Sequence, residues 1–210
     1  MCYLKKILYL LAAIGFSSAI AGSYEQFFQA TMRDDSGAVS ALVQRGVDPN
    51  SRDPSGQPAL HVALRNGSFR VAEALLASPG IDVNAVNAAD ESALMMAALK
   101  GQADWSKKLL DKGAQVNKPG WSPLHYAAAG PEPAVVRLLL EQGAAIDAAS
   151  PNRTTPLMMA AQYGSEANVD LLLARGADAK VRNDRGLSAA DFARLGKRDA
   201  LAARLDGLAK

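Results

Sequence analysis

The sequence predicts an all-α solenoid of helix-turn-helix repeats, about six units counting a cap at each end. Three observations point there. First, a pair of apolar residues followed by two others and a glycine recurs along the chain. It reads Leu42-Val43-Gln44-Arg45-Gly46, Leu109-Leu110-Asp111-Lys112-Gly113, Leu139-Leu140-Glu141-Gln142-Gly143 and Leu172-Leu173-Ala174-Arg175-Gly176, and Leu75-Leu76 reaches Gly80 after one inserted residue. Second, a six-residue signature recurs ahead of these runs. It reads Pro58-Ala59-Leu60-His61-Val62-Ala63, Ser92-Ala93-Leu94-Met95-Met96-Ala97, Ser122-Pro123-Leu124-His125-Tyr126-Ala127, Thr155-Pro156-Leu157-Met158-Met159-Ala160 and Ser188-Ala189-Ala190-Asp191-Phe192-Ala193, at successive spacings of 34, 30, 33 and 33 residues. Such periods mark stacked supersecondary units. Third, 49% of the 210 residues are hydrophobic but only 6% aromatic, a composition that suits helices approaching on small side chains better than a β-sandwich.

Residues 1–21 read as a secretory signal peptide. Lys5 and Lys6 form the positive n-region, Ile7 to Phe16 the apolar stretch, and Ala19-Ile20-Ala21 the small-x-small site for cleavage before Gly22. The apolar stretch is too short for a permanent membrane anchor, which needs about 20 residues. Cys2, the only cysteine, precedes that stretch, where no lipid attachment site would lie. Cleavage would leave a chain without cysteine, suited to an oxidising compartment, and by removing two lysines would bring the net charge from +2 to zero. The expected location is periplasmic or secreted.

The repeats follow in order. Residues 22–50 form an N-terminal cap, with Phe27 at the signature leucine position and Ala30 at the alanine position. Full units cover about 51–84, 85–117, 118–147 and 148–180, and 181–210 forms a C-terminal cap in which Ala190 and Asp191 replace Leu and His. Within each unit a Ser or Thr caps the first helix, and proline fits its first turn, where no N–H is needed. Leu60, Leu94, Leu124 and Leu157 bury against a neighbour, while Ala63, Ala97, Ala127 and Ala160 allow close approach. The paired leucines place an apolar stripe on the second helix, with Leu139 and Leu140 both expected to be core. Gly46, Gly80, Gly113, Gly143 and Gly176 supply the left-handed stop. Trp105, four residues before Leu109, points inward. Pro58 displaces a capping hydroxyl, and the unit at 118–147 is shortened around Lys118-Pro119-Gly120.

This pattern resembles the ankyrin repeat, with its T-P-L-H-x-A signature and period of about 33 residues, over essentially the whole chain after residue 21. The resemblance implies short hairpin-like fingers and a concave surface that binds another protein. Carried over by position, the contact residues on or near fingers are Arg52, Asn87, Lys118, Trp121, Arg153 and Arg182. Those on the groove side are Arg65, Asn66, Leu99, Lys100, Gln162 and Tyr163. It also implies a structural, hydrogen-bonding role for His61 and His125, and the loss of that role where Met95 and Met158 stand instead. Pro131, at a position where glycine usually joins the helices, is expected to twist its helix pair.

The chemistry-bearing residues point away from catalysis. Two histidines about two repeats apart give no paired acid and base. Asp34-Asp35 and Asp90-Glu91 lack the alternating oxygen ligands of a calcium loop and read as solvated turn residues. No phosphate loop, nucleophile elbow or zinc helix occurs, so neither enzyme, cofactor nor metal site is expected. The near-balanced charge argues against nucleic acid. The expectation is a monomeric, non-catalytic module for a periplasmic, envelope or secreted protein partner. The alternatives are a secreted effector that binds host proteins, or an enzyme with an unrecognised groove site. Two features refine the surface. One methionine of each pair, Met96 or Met159, falls nearer the groove, and Trp121 is either a partner contact or the filler of the shortened finger. Residues 175–210 carry nine Lys/Arg against five Asp/Glu, which reads as a solvated cap or a surface for an acidic partner.

Overall fold

The structure, a computed structural model, describes residues 22–208; the expected signal segment 1–21 lies outside the described residues. Among the described residues twelve helices and no strand form. They are α1 (22–32), α2 (Ser36–Gln44), α3 (Ala59–Asn66), α4 (Phe69–Ala77), α5 (Ala93–Leu99), α6 (Ala103–Asp111), α7 (Pro123–Ala129), α8 (Pro133–Glu141), α9 (Pro156–Tyr163), α10 (Glu166–Ala174), α11 (Ala189–Leu195) and α12 (Asp199–Leu208). The fold is the expected all-α repeat solenoid. The fingers are turns rather than full hairpins, with an isolated antiparallel bridge between Arg52 and Pro58 in the first of them. The described residues divide into two compact units, 22–88 and 89–208.

In the first unit α2 and α3 both pack on α4. Phe27 and Ala30 are buried at their signature positions. Asp34 lies in the turn before α2 and Asp35 is exposed ahead of that helix, and both also accept hydrogen bonds. Asp34 takes φ 56 and accepts from the Val71 N–H and Arg70 Nε, at 2.9 and 3.1 Å, at the start of α4. Asp35 caps α2 by accepting from the Ala38 N–H. Asn50 bonds the following repeat in both directions, donating to Gly80 O and accepting from the Asp82 N–H.

In the second unit the first helices α5, α7, α9 and α11 stack in sequence, and α6, α8 and α10 stack behind them. The seam between first helices is built on small residues. Ala97, Ala127, Ala160 and Ala193 are fully buried, and a Cβ added at Gly164 would lie 2.0 Å from the Ala128 carbonyl oxygen. Adjacent repeats are also stapled through polar groups. The buried Asn168 amide donates to the carbonyls of Ala127, Ala128 and Gly130 at the end of α7. Arg198 does the same for Ala160, Ala161 and Gly164 at the end of α9. Asn117 repeats the two-way bond of Asn50, to Gly143 O and the Ala145 N–H.

Local chemistry follows the sequence closely. The five glycines after the second helices have φ between 75 and 99, the left-handed region where a side chain is strained. Ser92, Thr155 and Ser188 accept from the N–H of Met95, Met158 and Asp191. Pro58 leaves α3 with no side-chain cap bond.

Three expectations need correction. The methionines at the histidine position keep half of the histidine's work: Met95 Sδ accepts the Ser92 N–H at 3.2 Å and Met158 Sδ the Thr155 N–H at 3.4 Å. A thioether is a weak acceptor without a hydrogen to give, so only the bond toward the next repeat is lost. Leu140 is half-buried while Leu139 is fully buried, because adjacent helical positions face directions about 100° apart. Pro131 leaves the α7–α8 joint extended at Gly130 (φ −76, ψ 174), but Gly164 at the α9–α10 joint is extended too (φ −80, ψ 175), so proline imposes no geometry peculiar to its own pair.

Candidate functional site

The site lies on the exposed face of the first helices in the second unit. Two residues beyond the signature leucine, the side chain leaves the seam and turns toward solvent: Tyr126 in α7 and Met159 in α9 are half-buried there. One helical turn further stand Leu99, Ala129 and Tyr163. With Trp121 they line a groove of about 390 Å³. A second recess of about 310 Å³ shares Trp121, Met159 and Tyr163 with it and runs toward Arg185 and Leu195. Leu99, Tyr163 and Leu195 are 40%, 62% and 55% exposed. Large apolar side chains gathered on one open face mark an interaction surface.

The shortened finger shapes one wall. The connection before α7 runs over 112–122, whereas those before α9 and α11 run over 142–155 and 175–188. The clipped loop brings Trp121 down onto the start of α7, half-buried and edge-on to the His125 ring at 5.2 Å. Trp121 therefore packs locally and also presents a face to the groove. His125 beneath it is fully buried. Its Nδ1 accepts from the Ser122 N–H and lies 2.8 Å from Ser122 Oγ, and its Nε2 lies 2.9 Å from the Thr154 carbonyl. That arrangement calls for the Nε2–H tautomer. Burial pulls its pKa down against the opposing pull of the Thr154 carbonyl. The ring is a neutral structural strut between repeats.

The rim near α5 is polar. Tyr126 Oη donates to Glu91 Oε1 at 2.8 Å. Burial, and then the Glu91 carboxylate, push the phenol pKa upward, so Tyr126 stays a neutral donor. Asp90 holds Lys118 in an ion pair. The acidic pair expected as solvated turn residues is thus engaged at both positions.

The twelve residues carried over by position have different fates. Leu99, Trp121, Gln162 and Tyr163 come together around the two recesses. Arg153, at φ 60 on a finger turn, and Lys100 are exposed in the same unit. Arg182 is exposed but donates to Gly186 O. In the first unit Arg65 and Asn66 are exposed, and Arg52 donates to the carbonyls of Gly56 and Val86, which makes it a finger strut. Two fit a contact role poorly. Asn87 is buried, with its amide on Gln57 Oε1, and the Lys118 side chain is only 12% exposed and paired with Asp90. Both point back into neighbouring turns rather than outward. Sequence reasoning passed over Tyr126, Ala129, Asn152, Arg185 and Leu195. The available signal was register: Tyr126 occupies the same place in its signature as Met96 and Met159.

Among the described residues no three or more His, Cys, Asp or Glu are placed to hold a metal ion, and no helix is long and apolar enough to cross a membrane.

A family model described as ankyrin repeats (3 copies) matches residues 27–119 and again 94–183. The chain belongs to the ankyrin repeat family. An ankyrin array is a protein–protein interaction module. A transient receptor potential cation channel subfamily A member 1 homolog of Caenorhabditis elegans is 29% identical over 158 residues, 73% of this chain and 13% of that protein. The B-cell lymphoma 3 protein homolog of Mus musculus is 32% identical over 152 residues, 69% of this chain and 34% of that protein. The chain thus spans a minor part of the length of these relatives. Among solved structures, a chain from the complex of a predatory endopeptidase from Bdellovibrio bacteriovorus with an immunity protein superposes with a TM-score of 0.73 at 27% identity. The match covers 87% of this chain and 97% of that one.

Proposed function

We propose that this ankyrin protein is exported, and that it docks a segment of an envelope or secreted protein in the groove between Leu99 and Leu195. The observation that carries the reading is the apolar groove itself, with Leu99, Tyr163 and Leu195 open on one face of stacked first helices. Export rests on Lys5-Lys6, the apolar run to Phe16 and Ala19-Ile20-Ala21. The role is binding rather than catalysis, and the active form is a monomer. A site-specific photocrosslinker tests the docking face in intact cells. Placed at Tyr163 or Leu195 it should trap the partner, and placed at the exposed Phe69 of the first unit it should not. Equal trapping at all three sites would refute the groove as the docking face. Intact mass of the recovered protein tests export, and the expected product begins at Gly22.

The endopeptidase–immunity protein complex favours a narrower reading, in which the partner is an enzyme held in check. In that case the trapped partner should show hydrolytic activity that falls when this protein is added at stoichiometric amounts.

A further inference from the structure

Beyond its apolar floor, the recess toward α11 is built from hydrogen-bond donors. Asn152 and Asn183 both line it, and both have their amide oxygens committed inward. Asn152 Oδ1 accepts from Ser150 Oγ at 2.6 Å and the Thr154 N–H at 3.3 Å. Asn183 Oδ1 accepts from the N–H of Arg185 and of Leu187, each at 3.0 Å. These bonds fix which way each amide points, and they leave the NH₂ groups with hydrogens that no described residue takes. Arg185 is the charged residue lining the same recess.

Arg185 differs from its neighbours in sequence. Arg182, Arg194, Arg198 and Arg204 each hold an acid, whereas Arg185 makes no ion pair among the described residues. No Asp or Glu lines either recess. The apolar walls are Trp121, Tyr163 and Leu195.

We infer that this recess recognises a side-chain carboxylate, and that the occupant of the groove is a polypeptide segment with an Asp or Glu beside a large apolar side chain. The apolar side chain enters the recess lined by Leu99, Tyr126 and Met159. The carboxylate takes Arg185 and the amide hydrogens of Asn152 and Asn183, charge-assisted bonds of the stronger kind. A single small carboxylate would fill only one of the two adjoining recesses, whereas such a segment fills both. The inference rests on the groove being the docking face.

Random peptides displayed with a blocked C-terminus test it, since only side chains then offer a carboxylate. They are selected in parallel on the purified protein, on Arg185→Glu and on Tyr163→Ala. Arg185 is exposed and its guanidinium unpaired, so its variant should melt with the parent. The parent should enrich Asp or Glu within a residue or two of Trp, Phe or Leu. Arg185→Glu should lose the acidic preference, keep the apolar one, and bind the best acidic peptide about tenfold more weakly or worse. Arg185→Lys should recover part of that loss. Apolar motifs without an acidic preference, or an acidic preference unchanged in Arg185→Glu, would overturn the carboxylate site and leave the groove standing. Peptides that bind Tyr163→Ala as tightly as the parent, or no enrichment at all, would overturn the groove and the carboxylate site with it.

Discussion

Replacing Asn168 by alanine isolates the polar staple between repeats. Asn168 is fully buried, and its Nδ2 reaches the carbonyls of Ala127, Ala128 and Gly130 at 3.3, 3.1 and 2.8 Å. Ala127 O also accepts from the Gly130 N–H, so the loss falls mainly on the other two. A buried carbonyl left without a donor costs about 1–3 kcal/mol, which gives about 2–6 kcal/mol for the pair. Against this, Asn168 Oδ1 is itself buried without a hydrogen-bond partner, and its removal relieves a cost of about 1–3 kcal/mol. The net destabilisation is then about 2 kcal/mol, or about 4–8 °C in melting temperature for a chain of this size. Asn168→Asp is the sharper variant, because it turns an acceptor toward three carbonyls and should melt below the alanine variant. Thermal melting followed by circular dichroism reads both. An alanine variant that melts with the parent, or an aspartate variant at least as stable as alanine, would refute the staple.

Four further outcomes follow from the same structure. His125→Met, copying Met95 and Met158, should lower stability at pH 8 by losing the bond to Thr154. It should also remove an acid-sensitive component: the folded pKa of His125 lies below the ordinary value, the unfolded chain binds more protons below about pH 6.5, and the parent loses stability as pH falls through that window. Melting curves from pH 8 to 5 would show the flatter profile. Leu139→Ala should cost about 2–5 kcal/mol in urea denaturation, and half-buried Leu140→Ala clearly less; equal costs would contradict the packing. Trp121→Ala should lower stability by about 1 kcal/mol through loss of its contact with His125 and weaken partner binding by about 2 kcal/mol or more, so unimpaired binding by a folded variant counts against it as a groove wall. Asn117→Asp should destabilise by about 1 kcal/mol, since a carboxylate cannot donate to Gly143 O, and urea midpoints would report it.

Periodic constraints made the fold readable in the sequence. Glycine at a positive φ, a hydroxyl ahead of the first helix and alanine in the seam each recur because every repeat solves the same packing problem. The site was less legible because it depends on the next repeat. Lys118 and Asn87 read as finger contacts until Asp90 and Gln57, 28 and 30 residues away, were seen to hold them. Tyr126 was passed over beside His125, although its register matches Met159. The role of Met95 and Met158 as sulfur acceptors is not visible in composition, since it requires the Ser or Thr N–H to be aimed at the sulfur. Trp121 sat between two readings because a clipped finger lets one ring pack and remain open at once.

The alanine seam has a consequence for how such a protein changes over generations. With backbone so near backbone that a methyl at Gly164 would collide with Ala128, the spacing of the first helices is set by atoms that cannot vary. Tyr126, Met159 and Tyr163 sit on that fixed ruler but face away from it. A lineage can therefore exchange those side chains without renegotiating the frame. Substitutions at the seam have no such latitude, because a shift there displaces every groove position along the stack.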